Sequence, residues 1–360
     1  MSLLAIIAGL VVLTIGAELL VRGASKLALS LGISPVVIGL TVVAFGTSTP
    51  ELAVTVGAAV GGTPDVAVGN VVGSNIYNVL LILGLGALAA PLIVRQRIIK
   101  ADVPLMIGAS ILMLAVASDG VIGFGEGALL FGLLIAYTTL SIRSGRNEPQ
   151  EIVAEYQENL DATTRPGTSR LFSAVLVVAG LALLVVGAQL LVGGAVDVAQ
   201  SLGVDDLVIG LTVVALGTSM PELVTTVVAA LRGERDIAVG NVVGSNLFNI
   251  LSVLGLGSML APGGIPVADA ALSFDIPVMI AVAIAVLPVV FVGSTINRWE
   301  GAMFVLFAVL YTTYLVLDAT AHELAGGFGF AMAVFVLPLT AITLGTLVVR
   351  ELRAKRTARA

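Results

Sequence analysis

The chain has no cysteine, one histidine and one tryptophan in 360 residues, and only 11% of it is charged. Without cysteine there can be no disulfide, no thiolate metal site and no cysteine nucleophile. The lone His322 gives no basis for histidine-based metal coordination or a catalytic triad. The scarcity of charge is equally restrictive. A soluble domain of this length needs a charged surface, yet 58% of the residues are hydrophobic and the mean hydropathy is +1.12. Long apolar stretches with few charges read as transmembrane helices. A net charge of −6 argues against nucleic acid as a partner.

What the chain has in abundance is glycine, 41 residues, which membrane helices use to approach one another closely. Apolar runs between charged or turn-rich breaks predict about eleven spans, near residues 3–22, 33–60, 66–90, 103–118, 122–142, 171–196, 206–231, 237–260, 271–293, 300–317 and 325–349. The first run has no basic segment before it and no small-residue cleavage site after it, so it is expected to be a span and not a removed leader. Lys and Arg collect in cytoplasmic loops. With eleven spans, all 17 basic residues fall on one side: Arg22 and Lys26; Arg95, Arg97 and Lys100; Arg143 to Arg170; Arg232 and Arg235; Arg298; and the tail from Arg350. The other loops carry acids such as Asp65, Asp119, Asp205, Asp269 and Asp318. This predicts a multi-pass cell-membrane protein with its N-terminus outside and its C-terminus in the cytoplasm.

The sequence also matches itself at an offset of 171. Residues 39–86 and 210–257 align without a gap and share 33 of 48 residues. Gly16 to Val21 recurs as Gly187 to Val192, Asp102-Val-Pro as Asp275-Ile-Pro, and Tyr137-Thr-Thr as Tyr311-Thr-Thr. The expected architecture is therefore all-α and membrane-integral, with two five-helix repeats and an extra C-terminal helix. The first repeat takes 1–142, a cytoplasmic loop 143–170, the second repeat 171–317, and the eleventh span with its basic tail 318–360. Five is odd, so the second copy must enter the membrane from the opposite side. Secondary transporters built on inverted repeats bind substrate near the midplane, where the copies meet.

The most similar residues are polar ones inside apolar spans. Glu51 follows Gly46-Thr47-Ser48-Thr49-Pro50, and Glu222 follows Gly217-Thr218-Ser219-Met220-Pro221. An ionised acid at bilayer centre costs about 2.5–3.5 kcal/mol on insertion scales, and no Lys or Arg lies at that depth. A mobile cation is the natural counter-charge. Pro50 and Pro221 lack an N–H and loosen the preceding turn, which would expose carbonyls such as those of Ala44 and Ala215. Thr47 and Glu51, four apart, are expected on one helical face. Asn70, Ser74 and Asn78 form a stripe at i, i+4 and i+8, repeated by Asn241, Ser245 and Asn249. Carboxylate, hydroxyl, amide and carbonyl oxygens together suit Ca²⁺ and Na⁺. Asn70, Asn75, Asn241 and Asn246 could equally serve as ligands or as polar links between helices.

At these motifs, and at the two Gly-Asn-Val-Val-Gly-Ser-Asn stretches 69–75 and 240–246, the chain resembles the calcium/cation antiporter superfamily and its sodium/calcium exchanger branch. The resemblance covers the first ten spans. It implies a ten-helix inverted-repeat fold with four central ion sites and Glu51 and Glu222 binding Ca²⁺. Thr47, Ser48, Ser74, Asn78, Thr218, Ser219, Ser245, Asn249 and the carbonyls of Ala44 and Ala215 would complete the sites. It further implies that spans 1 and 6 slide across the core to alternate access. Many exchangers carry Asp where this chain has Asn78 and Asn249. Two carboxylates neutralise one Ca²⁺, whereas three Na⁺ would leave a net +1. Exchange of Ca²⁺ for Na⁺ is therefore the leading expectation, with Ca²⁺/H⁺ exchange as the alternative and a cation channel as a third class. No enzyme motif, cofactor or obligatory protein partner is expected beyond Ca²⁺, Na⁺ and the lipid bilayer. Among the remaining polar residues, Glu18 is expected beside Arg22 near the membrane surface. Asp102 and Asp275 are expected as helix caps, Arg298 and Trp299 as interfacial anchors, and the acidic run 148–161 as a solvated helix.

Overall fold

The computed structural model describes residues 2–146, 170–204, 206–209, 212–213, 215–322 and 324–332, with a few positions up to 349. Among them, eight helices are long and apolar enough to cross a membrane, or nine if one bent pair forms a single span. In chain order these are α1 (Ser2–Leu31); the bent pair α2 (Pro35–Thr47) and α3 (Thr49–Val60); α4 (Pro64–Ala89); α5 (Ile98–Val116); and α6 (Phe124–Arg146). The second half contributes α7 (Arg170–Ser201), then the short α8 (Asp206–Ile209), α9 (Ala215–Thr218) and α10 (Met220–Leu231). It continues with α11 (Arg235–Leu260), α12 (Ala271–Phe291) and α13 (Arg298–Ala319), and α14 (Leu324–Ala331) follows. The acidic run 148–161, and most of the expected eleventh span and its tail, lie outside the described residues.

Matching elements of the two halves meet reciprocally. Two short strands follow α4 and α5, β1 (Leu92–Ile93) and β2 (Val121–Ile122); β3 (Ile265–Pro266) and β4 (Thr295–Ile296) follow α11 and α12. β1 pairs antiparallel with β4, and β2 with β3, so each half closes the other's loops.

The longest helices, α1 and α7, run antiparallel in backbone contact. Gly9, Gly16 and Gly23 recur every seven residues in α1, and Gly180, Gly187 and Gly194 do so in α7. A seven-residue spacing places three glycines on one stripe of a helix. A Cβ added at Gly180 would stand 2.6 Å from the Leu20 amide nitrogen, and one at Gly9 2.6 Å from that of Leu191. The opposite faces present Leu3, Ile7, Leu10, Leu171, Val175 and Val178, all exposed. That apolar surface has the character of a lipid-facing one. In contrast, the most apolar window of α11 is wholly buried, and α4 lies close behind it. The polar repeats therefore form the centre of the bundle and the plain apolar helices form its coat.

The middle of α1 carries an ionic cluster. Glu18 pairs with Arg22 on its own helix and with Arg232 at the end of α10. Glu18 is thus beside Arg22, as expected, but within the helix and not at its end. Asp102 and Asp275 are not caps. Each sits in helical conformation inside a π turn that runs straight into the following helix, without a side-chain cap. Their carboxylates instead accept from Tyr137 (3.3 Å) and Tyr311 (3.4 Å). Helix α1 also continues through Arg22 and Lys26, beyond its expected end at residue 22.

Gly180→Ala is expected to destabilise the protein by about 1–3 kcal/mol, the cost of forcing a group into a filled space. Gly193→Ala, with nothing within 4 Å among the described residues, should change the thermal midpoint in detergent little. Equal shifts would refute the backbone-contact account.

Candidate cation site

Sequence predicts a loosened turn before each glutamate, and the structure breaks the helix there. α2 and α3 meet at Ser48 with a 45° bend, and α10 starts anew at Ser219. Both serines leave helical geometry, with ψ near +8°. Pro50 and Pro221 then take the second position of the new helix, where a missing N–H has no consequence. Glu51 and Glu222 land in the first turn. Each carboxylate therefore sits at the positive end of a helix dipole that begins inside the bundle. Thr47 and Glu51 do not share a helical face, because the break falls between them.

Ser-x-x-Glu is the pattern of a local capping box, yet neither serine caps its own helix. The bonds cross between halves. The Ser48 hydroxyl donates to Glu222 Oε1 (3.4 Å), and the Ser219 hydroxyl to Glu51 Oε1 (3.1 Å). Ser219 Oγ also lies 3.3 Å from Ser74 Oγ, and Thr47 Oγ1 lies 3.4 Å from Ser245 Oγ. Glu51, Glu222, Ser48, Ser219, Ser74, Ser245 and Thr47 are all buried. The Ala44 carbonyl accepts from the Ser48 amide (3.0 Å), with the Thr47 hydroxyl oxygen 3.3 Å away, so one lone pair is left for a cation when Thr47 donates elsewhere. Ala215 opens α9 at the matching position.

Asn70 and Asn241 act as braces. Asn241 Nδ2 donates to the Glu222 carbonyl (3.3 Å) and Thr226 Oγ1 (3.0 Å), while its Oδ1 accepts from Thr47 (3.2 Å). Asn70 repeats this with the Glu51 carbonyl, Thr55 and Thr218. Thr55 and Thr226, fully buried, were not singled out from sequence. Their recurrence at the offset of 171 is the signal that marks them.

Asn78 and Asn249 each open a π turn, Asn78–Leu83 and Asn249–Leu254. Such turns are rare and gather at functional sites. Each amide nitrogen is engaged, but among the described residues Asn78 Oδ1 and Asn249 Oδ1 have no hydrogen-bond partner, and neither do Glu51 Oε2 and Glu222 Oε2. Four buried acceptors, two of them on carboxylates, stand without a donor in the centre of the bundle. Among the described residues there is no group of three His, Cys, Asp or Glu side chains that could hold a metal, so the acidic part of the site is these two residues.

The sequence profile described as sodium/calcium exchanger protein matches residues 1–143 and 172–317. The chain belongs to the sodium/calcium exchanger family. Sodium/calcium exchanger MaX1 of Methanosarcina acetivorans is 35% identical over 345 residues, covering 87% of this chain and 98% of its own. Inner membrane protein YrbG of Escherichia coli is 38% identical over 282 residues, 78% of this chain and 85% of its own. The structure of the sodium-calcium exchanger NCX_Mj matches with a TM-score of 0.74 at 30% identity, covering 87% of this chain and 98% of that one. This exchanger-family chain is accordingly a multi-pass membrane protein, and the two matched segments coincide with the two halves that interlock around Glu51 and Glu222.

Replacing Asn241 by Ala should cost about 1–3 kcal/mol, because buried groups lose a donor. Asn70→Ala should cost less, since Asn70 is partly exposed. Comparing thermal midpoints of the two variants checks this order.

Proposed function

We propose that the protein is a secondary antiporter that exchanges Ca²⁺ for Na⁺ by alternating access at this site. The observation that carries the reading is the set of four buried oxygens without donors, on Glu51, Glu222, Asn78 and Asn249. Buried acceptors are costly unless paired, and among the described residues no cationic side chain is bonded to either glutamate. A cation supplies what the protein withholds. Two carboxylates balance one Ca²⁺, and amide and hydroxyl oxygens complete a hard shell at the 2.3–2.6 Å typical of that ion. Na⁺ suits the same donors, so the two ions compete for one pair of charges. The chain's likeness to MaX1 and NCX_Mj, both sodium/calcium exchangers, supports this assignment.

The reciprocal contacts support two halves of opposite orientation. A bond from Ser48 to Glu222 matched by one from Ser219 to Glu51 is the signature of a two-fold relation. Contacts between loops also support the sidedness read for the first ten spans. Arg97 reaches the Ser141 carbonyl, Arg170 the Ser30 carbonyl and Gln96 the Ser294 hydroxyl, all on the side expected to be cytoplasmic. β2 and β3 join loops on the other side.

The two halves differ in exposure, which supplies direction. Gly240, Gly244, Asn241 and Thr47 are buried, whereas their counterparts Gly69, Gly73, Asn70 and Thr218 are partly or fully exposed. The site is therefore approachable from the Pro64 end of α4, which the proposed topology places outside. The opposite end is sealed by α2 against α11, where a Cβ on Gly244 would meet Ala44 Cβ at 2.7 Å.

Purified protein in Na⁺-loaded vesicles, diluted into Na⁺-free medium, should accumulate ⁴⁵Ca²⁺. Glu51→Gln and Glu222→Gln should each abolish this, by at least about a hundredfold, given the 3–5 kcal/mol at stake when one partner of a buried charge set is removed. Uptake driven by a proton gradient and indifferent to Na⁺ would replace Na⁺ with H⁺ as coupling ion, and flux without coupling to either gradient would mean a channel. In Na⁺-free vesicles, Thr218→Cys should react with an impermeant thiol reagent added outside, while Thr47→Cys stays protected. The absence of native cysteine makes each reporter unambiguous, and reversed reactivity would overturn the direction of opening.

A further inference from the structure

An asparagine amide has nearly the same shape whether its oxygen or its nitrogen points forward, so an amide ligand needs something to fix its orientation. Here that something lies outside the set of expected ligands. Asn78 Nδ2 donates to Asn246 Oδ1 at 3.0 Å, and Asn246 Nδ2 donates to Met106 Sδ at 3.3 Å. Asn249 Nδ2 donates to Asn75 Oδ1 at 3.1 Å, and Asn75 Nδ2 donates to Met279 Sδ at 3.5 Å and to the Asn246 carbonyl at 3.4 Å. Each chain crosses between halves twice. Met106 and Met279 are equivalent in the two repeats, four residues after Asp102 and Asp275. All six side chains are buried.

A thioether sulfur accepts hydrogen bonds and cannot donate. Met106 therefore selects the NH₂ face of Asn246, which turns Asn246 Oδ1 toward Asn78. That oxygen in turn selects the NH₂ of Asn78 and leaves Asn78 Oδ1 facing away, without a protein donor. The same logic runs from Met279 through Asn75 to Asn249 Oδ1.

We propose that Met106, Asn246, Met279 and Asn75 are positioning residues that lock Asn78 and Asn249 with their carbonyl oxygens toward the transported cation. The proposal rests on the cation-site reading above and adds a selection rule. A carboxylate at position 249 would set oxygen against Asn75 Oδ1, and flipping Asn75 would set that oxygen against the Met279 sulfur. The relay thus favours neutral amides at 78 and 249 and holds the site to two negative charges.

The test uses the purified full-length protein. Met106→Leu keeps an apolar side chain of similar size and removes only the acceptor. It should weaken ⁴⁵Ca²⁺ binding about tenfold, the loss expected when one buried bond no longer enforces geometry, and by more than the fall in ion-free thermal midpoint from the unpaired Asn246 amide accounts for. Met106→Gln, which restores an acceptor, should recover most of that affinity. Asn249→Asp should also bind more weakly despite its added charge. Unchanged affinity in Met106→Leu, or a loss that simply follows the thermal midpoint, would overturn the relay. A second readout does not depend on ion binding. In protein labelled with ¹⁵N at asparagine, the Asn78 side-chain NH₂ should be protected from hydrogen exchange in the wild type and unprotected in Met106→Leu. Equal protection in both would refute the relay even if the wild type binds no Ca²⁺, whereas protection lost as predicted, with no Ca²⁺ bound, would uphold the relay and dismiss the function.

Discussion

Two carboxylates, each held by a serine of the other half at the start of a helix that begins inside the bundle, are the constraint from which the rest of the molecule follows. An anion in a low-dielectric interior needs either a fixed partner or a cation from outside. The fold supplies partial help only: a helix dipole, one hydroxyl per carboxylate and braces on the backbone behind it. That help orients the acids without neutralising them. It requires broken helices, which require Pro50 and Pro221. The broken segments need glycine-rich neighbours to pack against, and the whole assembly needs a coat of apolar helices.

Much of this was legible in the sequence because it is written twice. The offset of 171 marks the glutamates, the serines and the asparagine stripes, and the glycines around them. What remained hidden depends on contacts between distant segments. Ser48 and Ser219 read as cation ligands, and only the fold reveals that each also bonds the other half's acid. Thr47 and Glu51 read as one helical face because a break at Ser48 cannot be placed from spacing. Asp102 before Val-Pro reads as a cap, but a π turn carries the helix through it and leaves its carboxylate to Tyr137. Met106 and Met279 read as ordinary apolar residues. Their role appears only when an asparagine of the opposite half points its NH₂ at the sulfur.

The halves are alike in sequence yet not in environment. Asn241 is fully enclosed while Asn70 is partly open, and Gly240 is covered where Gly69 is exposed. Two nearly identical stretches thus occupy different surroundings in one molecule. In the alternating access proposed above, an exchange of the two environments would turn the site toward the other end with no separate switch element.

The seam between α1 and α7 has a mechanical corollary. Where side chains interlock, helices can slip by one turn and find new holes. Here a methyl group added at Gly9, Gly16, Gly180 or Gly187 would stand less than 3 Å from an atom of the facing helix, so the two backbones meet with no layer of side chains between them. In the alternating access proposed above, such close contact would couple the travel of one helix to that of the other.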